Sequence, residues 1–258
     1  MENALLIGLS RQTTLRRELD IVANNIANMN TTAFKADGAV FAEYLNSGAR
    51  AQQFAAPDQR LSFVQDRMTW HDISQGSVER TGNPLDVAID GNAYMVVQTP
   101  RGERYTRNGA LQVNQAGQLV NSAGEVVLGE SGPIVLNATD RDVNITADGT
   151  VRVREGTKGT TDAARGKIRL VAFANPQLLQ KDGSSTFAAP ANMLPQPVPA
   201  TANVRVVQGS VERSNVRGVV EMTRMIELSR AYTEVANMLQ QRSDLRRTAI
   251  ERLAEVPA

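Results

Sequence analysis

The chain has 258 residues, of which 41% are hydrophobic, enough to bury a substantial core in one or two domains. Its net charge is +1 with acidic and basic residues well mixed, so no phosphate-neutralising surface is offered and nucleic acid is excluded as a partner. There is no cysteine and one histidine, which excludes thiol chemistry, a histidine-based triad and the common zinc sites.

Met1 to Met29 reads as an amphipathic helix. Apolar side chains recur at alternating four- and three-residue steps at Leu15, Leu19, Val22, Ile26 and Met29. Extended backward, the same register meets Gln12, Gly8, Leu5 and Met1, so the stripe is good in its second half and imperfect in its first. The period is near 3.5, that of a coiled-coil seam, and an ordinary helix packed on its own domain produces the same stripe. Asn24, Asn25, Asn28 and Asn30 crowd the end of this helix. They fit either fraying and capping at a helix C-terminus or carboxamides that bond to neighbouring chains and fix register. The opening run to Ser10 has Glu2 where a secretion signal needs basic residues, and its apolar stretch is short. If the chain leaves the cytoplasm, it is expected to do so without a cleaved signal peptide. No stretch approaches the roughly 20 apolar residues of a membrane-spanning helix.

Residues 36–80 read as a connecting segment, partly irregular, with Asn46 to Gln59 rich in Ala, Gln and Gly. From there the text is β. Leu85 to Ile89, Tyr94 to Gln98, Arg104 to Thr106, Ala110 to Val113, Gln118 to Val120 and Glu125 to Leu128 are short β-favouring runs. Turn signals such as Asp90-Gly91-Asn92, Asn108-Gly109 and Ser122-Ala123-Gly124 separate them. Further strands are predicted at Val143 to Thr146, Thr150 to Val153 and Lys167 to Phe173. No helix-period segment lies between strands, so hairpins and meanders are expected and a parallel α/β sheet is not. Pro190, Pro195, Pro197 and Pro199 make 189–202 an extended exit.

One hexapeptide occurs twice. Gln75-Gly76-Ser77-Val78-Glu79-Arg80 returns as Gln208-Gly209-Ser210-Val211-Glu212-Arg213, the copies bracketing the β region. They are expected to lie together as matched short strands. Beyond the second copy, Ser214 or Asn215 can cap a helix. Met225, Leu228, Tyr232, Val235 and Leu239 then repeat the three-four spacing before Arg242 and Arg246 interrupt it.

The search for chemistry finds none. His71 follows Trp70 and reads as a packing or surface histidine. Asp86 and Asp90 superficially suggest a carboxylate pair, yet one alternates with apolar residues in a strand and the other opens a turn. A β-domain enzyme lacks a convergent acid/base pair, and a secreted binding module leaves the two terminal helices unexplained.

Leu19-Asp20-Ile21-Val22-Ala23-Asn24-Asn25-Ile26-Ala27-Asn28 with Thr31-Thr32-Ala33-Phe34-Lys35 resembles the N-terminal signature of bacterial flagellar basal-body rod and hook proteins. Leu85 to Gly91 and Tyr105-Thr106-Arg107-Asn108-Gly109 resemble the core of that family's β domain. Gln208 to Val216, leading to Met222 through Tyr232, resembles its C-terminal signature. Within the family the opening segment is most similar to the proximal-rod branch, with the distal-rod branch its nearest rival. Ala33 stands where the family usually has glycine, which argues against a positive-φ turn there.

The resemblance implies an α+β fold: N- and C-terminal amphipathic helices forming a coiled-coil-like pair, with a central antiparallel β-rich domain. The divisions expected are 1–35 as an N-terminal rod-core helix, 36–80 as a connection, 81–207 as the β-rich domain, and 208–258 as a C-terminal rod-core helix with its lead-in. It implies a structural subunit of the periplasm-spanning rod, with terminal helices packed around the export channel to transmit torque. No catalytic residue, cofactor or metal is expected. The partners implied are other rod proteins, further copies of the chain and the flagellar type III export apparatus, with no nucleic acid and no small-molecule substrate. The expected assembly contacts are Leu15, Leu19, Val22, Asn24, Asn25, Ile26, Asn28, Met29, Met225, Leu228, Tyr232, Val235 and Leu239.

Overall fold

The computed structural model describes residues 2–46, 61–155, 161–183, 185–198 and 203–254. The Ala- and Gln-rich stretch expected at 46–59 lies, Asn46 apart, outside the described residues. The elements are helix α1 (Glu2–Ala27), strands β1 (Asp37–Asn46), β2 (Leu61–His71), β3 (Val78–Arg80), β4 (Val87–Asp90), β5 (Tyr94–Thr99), β6 (Gly102–Thr106), β7 (Leu111–Val113), β8 (Leu119–Asn121), β9 (Val126–Gly129), β10 (Gly132–Pro133), β11 (Asp140–Ile145), β12 (Thr150–Glu155), β13 (Thr161–Lys167), β14 (Leu170–Ala172), β15 (Gln180–Lys181), β16 (Thr186–Ala188), β17 (Gln196–Pro197), β18 (Arg205–Gln208) and β19 (Ser210–Glu212), and helix α2 (Gly218–Ala254). Two helices and antiparallel strand pairings make the fold α+β. The chain divides into two compact units.

The helical unit comprises Met1–Ala27, Asp37–Trp70 and Arg217–Ala258. Leu15 and Val22 of α1 and Leu228 and Val235 of α2 are buried together, with Leu19, Ile26, Ala231, Tyr232 and Leu239 packed against them. Each such side chain removed from water contributes about 1.5–3 kcal/mol. The two helices run antiparallel, because Gly8 lies against Leu239 while Asn25 lies against Glu221. Gly8, which looks like a flaw in the apolar stripe, makes room for a side chain of α2, letting Leu239 approach closely: a Cβ there would sit 2.6 Å from Leu239 Cδ2. The helix-propensity cost of glycine, about 1 kcal/mol against alanine, is offset by that approach. In the same unit β1 pairs with β2, two strands that were not predicted in the 36–80 connection.

The β unit comprises Asn28–Ala36 and His71–Val216. Its main sheet runs β15-β16-β6-β5-β9-β8-β7, with β10 on β9 and β14 joining β5 to β17. Thus the proline-rich exit contributes a strand, with Pro197 opposite Val171. A second sheet, β11-β12-β13, and two pairs, β18–β4 and β19–β3, complete the unit. Successive strand residues face opposite sides, and β5 is buried on both. Met95 and Val97 join an aliphatic core with Val87, Ile89, Leu111, Leu119, Val127, Ile134, Val151 and Ile168. Tyr94 and Val96 join a second core with Tyr105, Phe173, Leu179 and Phe187. There the aromatic rings meet edge to face, Tyr105 to Phe173 with centroids 4.8 Å apart. Gly109 is required by proximity, since a Cβ on it would lie 1.7 Å from the Val87 carbonyl oxygen.

The two hexapeptide copies pair antiparallel, with Glu79 opposite Val211 and Glu212 opposite Val78. The expectation that they meet as matched strands is met. Their fates differ: β19 is buried throughout and β3 exposed throughout. In the unit's first segment, Ala33 takes φ 56°, against the expectation its alanine side chain suggested. Its N–H donates to the Glu212 carbonyl at 2.8 Å, and Ala33, Phe34 and Lys35 are all about 1% exposed, so tertiary bonding holds a backbone conformation that alanine alone disfavours.

Candidate functional site

The helix stripes are sorted by burial. Leu15, Val22, Leu228 and Val235 are sealed between α1 and α2, and Leu19, Ile26, Tyr232 and Leu239 line the same seam half-buried. Met29 is half-buried beyond the end of α1. Met225 departs from this pattern, being 40% exposed outside the inter-helix cluster. It belongs instead to an outward apolar set on α2 with Val219, Val220, Met222, Ile226, Met238, Leu245 and Ile250. Ile226 is 55% and Leu245 70% exposed. Arg224 approaches Glu18 of α1 at 3.7 Å.

The asparagines also divide. Asn25 is 1% exposed, and its carboxamide both accepts from the Asp37 N–H and donates to the Asp37 carbonyl, each at 2.9 Å, with Glu221 Oε2 at 3.4 Å. It is an internal fastening of α1 to β1 and Glu221, which corrects its reading as an inter-chain amide. Asn28 takes a turn role, its side chain and carbonyl accepting from the Thr31 hydroxyl and N–H at 3.1 Å each. Asn24 is exposed. Neither Ser214 nor Asn215 begins α2 directly; Asn215 Oδ1 accepts from the Ala36 N–H at 2.8 Å and its amide donates to the Asp72 carbonyl at 2.8 Å.

In the β unit, sequence reasoning missed a buried charge centre. Glu212 is fully buried between Lys35 and Arg107, with Lys35 Nζ 2.5 Å from Oε1 and Arg107 Nε 2.7 Å from Oε2. The Gly76 N–H donates to Oε1 at 3.0 Å. Lys35 also donates to the Ser74 carbonyl at 2.6 Å. Arg107 donates to the carbonyls of Gly91, Ala93 and Ile89 at 2.7, 2.9 and 2.8 Å. Burial pushes the Lys35 ammonium below the ordinary lysine value, with the Glu212 charge opposing that shift. Burial likewise raises the Tyr94 phenol, against whose ring Arg107 stacks at 5.8 Å. Charged side chains are normally solvated, so composition gives no hint of this centre. The available signal was positional: Lys35, Arg107 and Glu212 each sit inside one of the three quoted signatures.

The residues weighed for chemistry take structural roles. His71 meets Phe187 edge to face at 6.3 Å. Asp86 is buried, not outward-facing, and accepts from the Asn83 amide at 3.0 Å; Asp90 pairs with Arg205 across β4–β18 at 2.8 Å. Among the described residues no cluster of His, Asp and Glu is suited to hold a metal ion.

Comparison with known proteins assigns each region. Residues 5–35 match the model of the flagella basal body rod protein, 88–153 that of the flagellar hook protein FlgE/F/G D1 domain, and 207–252 that of the flagellar basal body rod FlgEFG protein C-terminal region. The flagellar basal-body rod protein FlgF of Caulobacter vibrioides is 40% identical over 258 residues, covering 99% of this chain and all of that protein. FlgF of Escherichia coli K12 is 31% identical, covering 90% of each chain. The rod protein FlgG of Bacillus subtilis is 31% identical, covering 90% of this chain and 92% of the relative. Signatures at both ends and in the middle, together with similarity along nearly the whole length, establish that the chain belongs to the flagellar basal-body rod protein family.

Proposed function

We propose that this chain is a structural subunit, not an enzyme, of the proximal part of the bacterial flagellar rod, and that it polymerises through its terminal helices. The observation that carries the assembly mode is the outward apolar set on α2, from Val219 to Ile250, which a helix pair functioning alone would leave in water. In this reading α1 and α2 form a coiled-coil-like pair through Leu15, Leu19, Val22, Ile26, Leu228, Tyr232, Val235 and Leu239. Met225 and its exposed neighbours meet adjacent subunits, with Asn24, Asn28 and Met29 near those contacts. Unlike surfaces that do not close a ring generate an open helical polymer, the form a rod needs.

The rod-core helices are then α1 and α2, and the β unit, which takes in the 28–36 and 208–216 stretches expected in the rod core, is the outer domain. The rod spans the periplasm, and its subunits reach it through the flagellar type III apparatus. Other rod proteins and further copies of this chain are the partners, and no nucleic acid or small-molecule substrate is involved. Similarity to FlgF relatives along nearly the whole chain, at 40% over 99% and 34% over 98% of it, supports the proximal over the distal position.

The test is Ile226→Glu combined with Leu245→Glu. Both sites are exposed, so monomer stability should shift by no more than about 0.5 kcal/mol per site. Electron cryotomography of cells carrying only this variant should find no completed rods. Normal basal bodies would refute the assembly mode.

A further inference from the structure

We infer that the Lys35–Glu212–Arg107 centre is a latch that makes docking of the entry segment, residues 28–36, conditional on docking of β19. Its three charges come from segments far apart in the chain, and Glu212 is the anion with which both buried cations pair. Their other hydrogen bonds named above go to backbone carbonyls, Ser74 for Lys35 and Ile89, Gly91 and Ala93 for Arg107, and Arg107 also lies over the Tyr94 ring. Carbonyl dipoles solvate a cation only in part. Without Glu212, two like charges would face each other in a dry interior, an arrangement far costlier than the completed centre.

The same two segments are zipped by backbone. The Ala33 N–H donates to the Glu212 carbonyl at 2.8 Å, and the Asn215 N–H donates to the Phe34 carbonyl at 3.3 Å. On the other copy of the hexapeptide, Glu79 is exposed and pairs with Arg213. An identical motif thus yields a surface pair on β3 and the keystone charge on β19. Segment 28–36 directly follows α1 in the chain and 213–216 directly precede α2, so the latch fastens the stretches from which both helices spring. A chain whose β19 has not docked would keep Lys35 and its neighbours out of the β unit, while the β5–β9 core could already be formed.

Hydrogen exchange on the full chain tests this with Glu212→Gln, which keeps shape and an acceptor but loses the charge. Amides of residues 33–36 and 210–213 should exchange about a hundredfold faster or more, while β5 and β9 keep their protection. Adding Lys35→Met removes one uncompensated cation and should restore protection in part. Should the single variant not fold, the Lys35→Met/Glu212→Gln chain must. Unchanged exchange at 33–36, loss spread evenly over the sheet, or a double variant worse than the single would each overturn the latch.

Discussion

In the β unit, Val87, Ile89, Met95, Val97 and Phe187 are at most 2% exposed, and even Lys35, Arg107 and Glu212 are sealed inside with their partners. In the helical unit, four residues form the buried seam, while Val219, Ile226 and Leu245 stay more than half exposed. The first unit has built two large buried cores, with Leu178 and Leu194 left more than half exposed. The second has buried one stripe of each helix and left several apolar side chains of α2 exposed. For a subunit of a polymer the division is economical, since a sealed body need not change shape when the helical faces find their neighbours.

The largest effect that would sharpen this contrast is expected at Arg107→Met. It removes one donor from each of three carbonyls and leaves Glu212 with Lys35 and the Gly76 N–H, and should cost the β unit about 3–5 kcal/mol in chemical denaturation of the full chain. Leu228→Ala should cost about 2–5 kcal/mol of helix-pair stability, because the seam loses a buried side chain and gains a cavity. Circular dichroism should lose helical signal while hydrogen exchange in β5 and β9 stays slow. If Leu228→Ala opened the β strands as readily as the helices, the two units would not be independent in energy and the contrast would fail. The smallest monomer effect belongs to Ile226→Glu with Leu245→Glu, whose consequence should be felt only in assembly.

Much of this was legible in the residues. The short strands from β4 to β9 announced themselves through β-branched runs between Gly and Asn turns, and the duplicated hexapeptide gave a long-range pairing that propensity alone cannot give. What escaped notice did so for physical reasons. Strand β13, Thr161–Lys167, is small and polar, and it is a strand because β12 pairs with it. Gly8 looked like a broken stripe because periodicity scores side chains and not the room that Leu239 of the facing helix needs. Ala33 shows that a missing glycine does not forbid a left-handed residue where neighbouring bonds enforce it. Asn25 was read as a contact to other chains because a carboxamide's partners cannot be told from its position. The seam residues were found as a set, yet the stripe could not separate Leu228, facing inward, from Met225, facing out.

The account rests most heavily on the outward face of α2 being a contact between subunits. The chain has no cysteine, so single thiols can be placed at will. Ile226→Cys, Leu245→Cys and, as a control on an exposed strand position of the β unit, Gln112→Cys would be introduced one at a time, and isolated basal bodies treated with a short thiol cross-linker. The account predicts covalently linked subunits for the two α2 positions in assembled rods and not in the purified monomer. Assembled, functional rods in which both α2 thiols stay freely reactive and unlinked would contradict it.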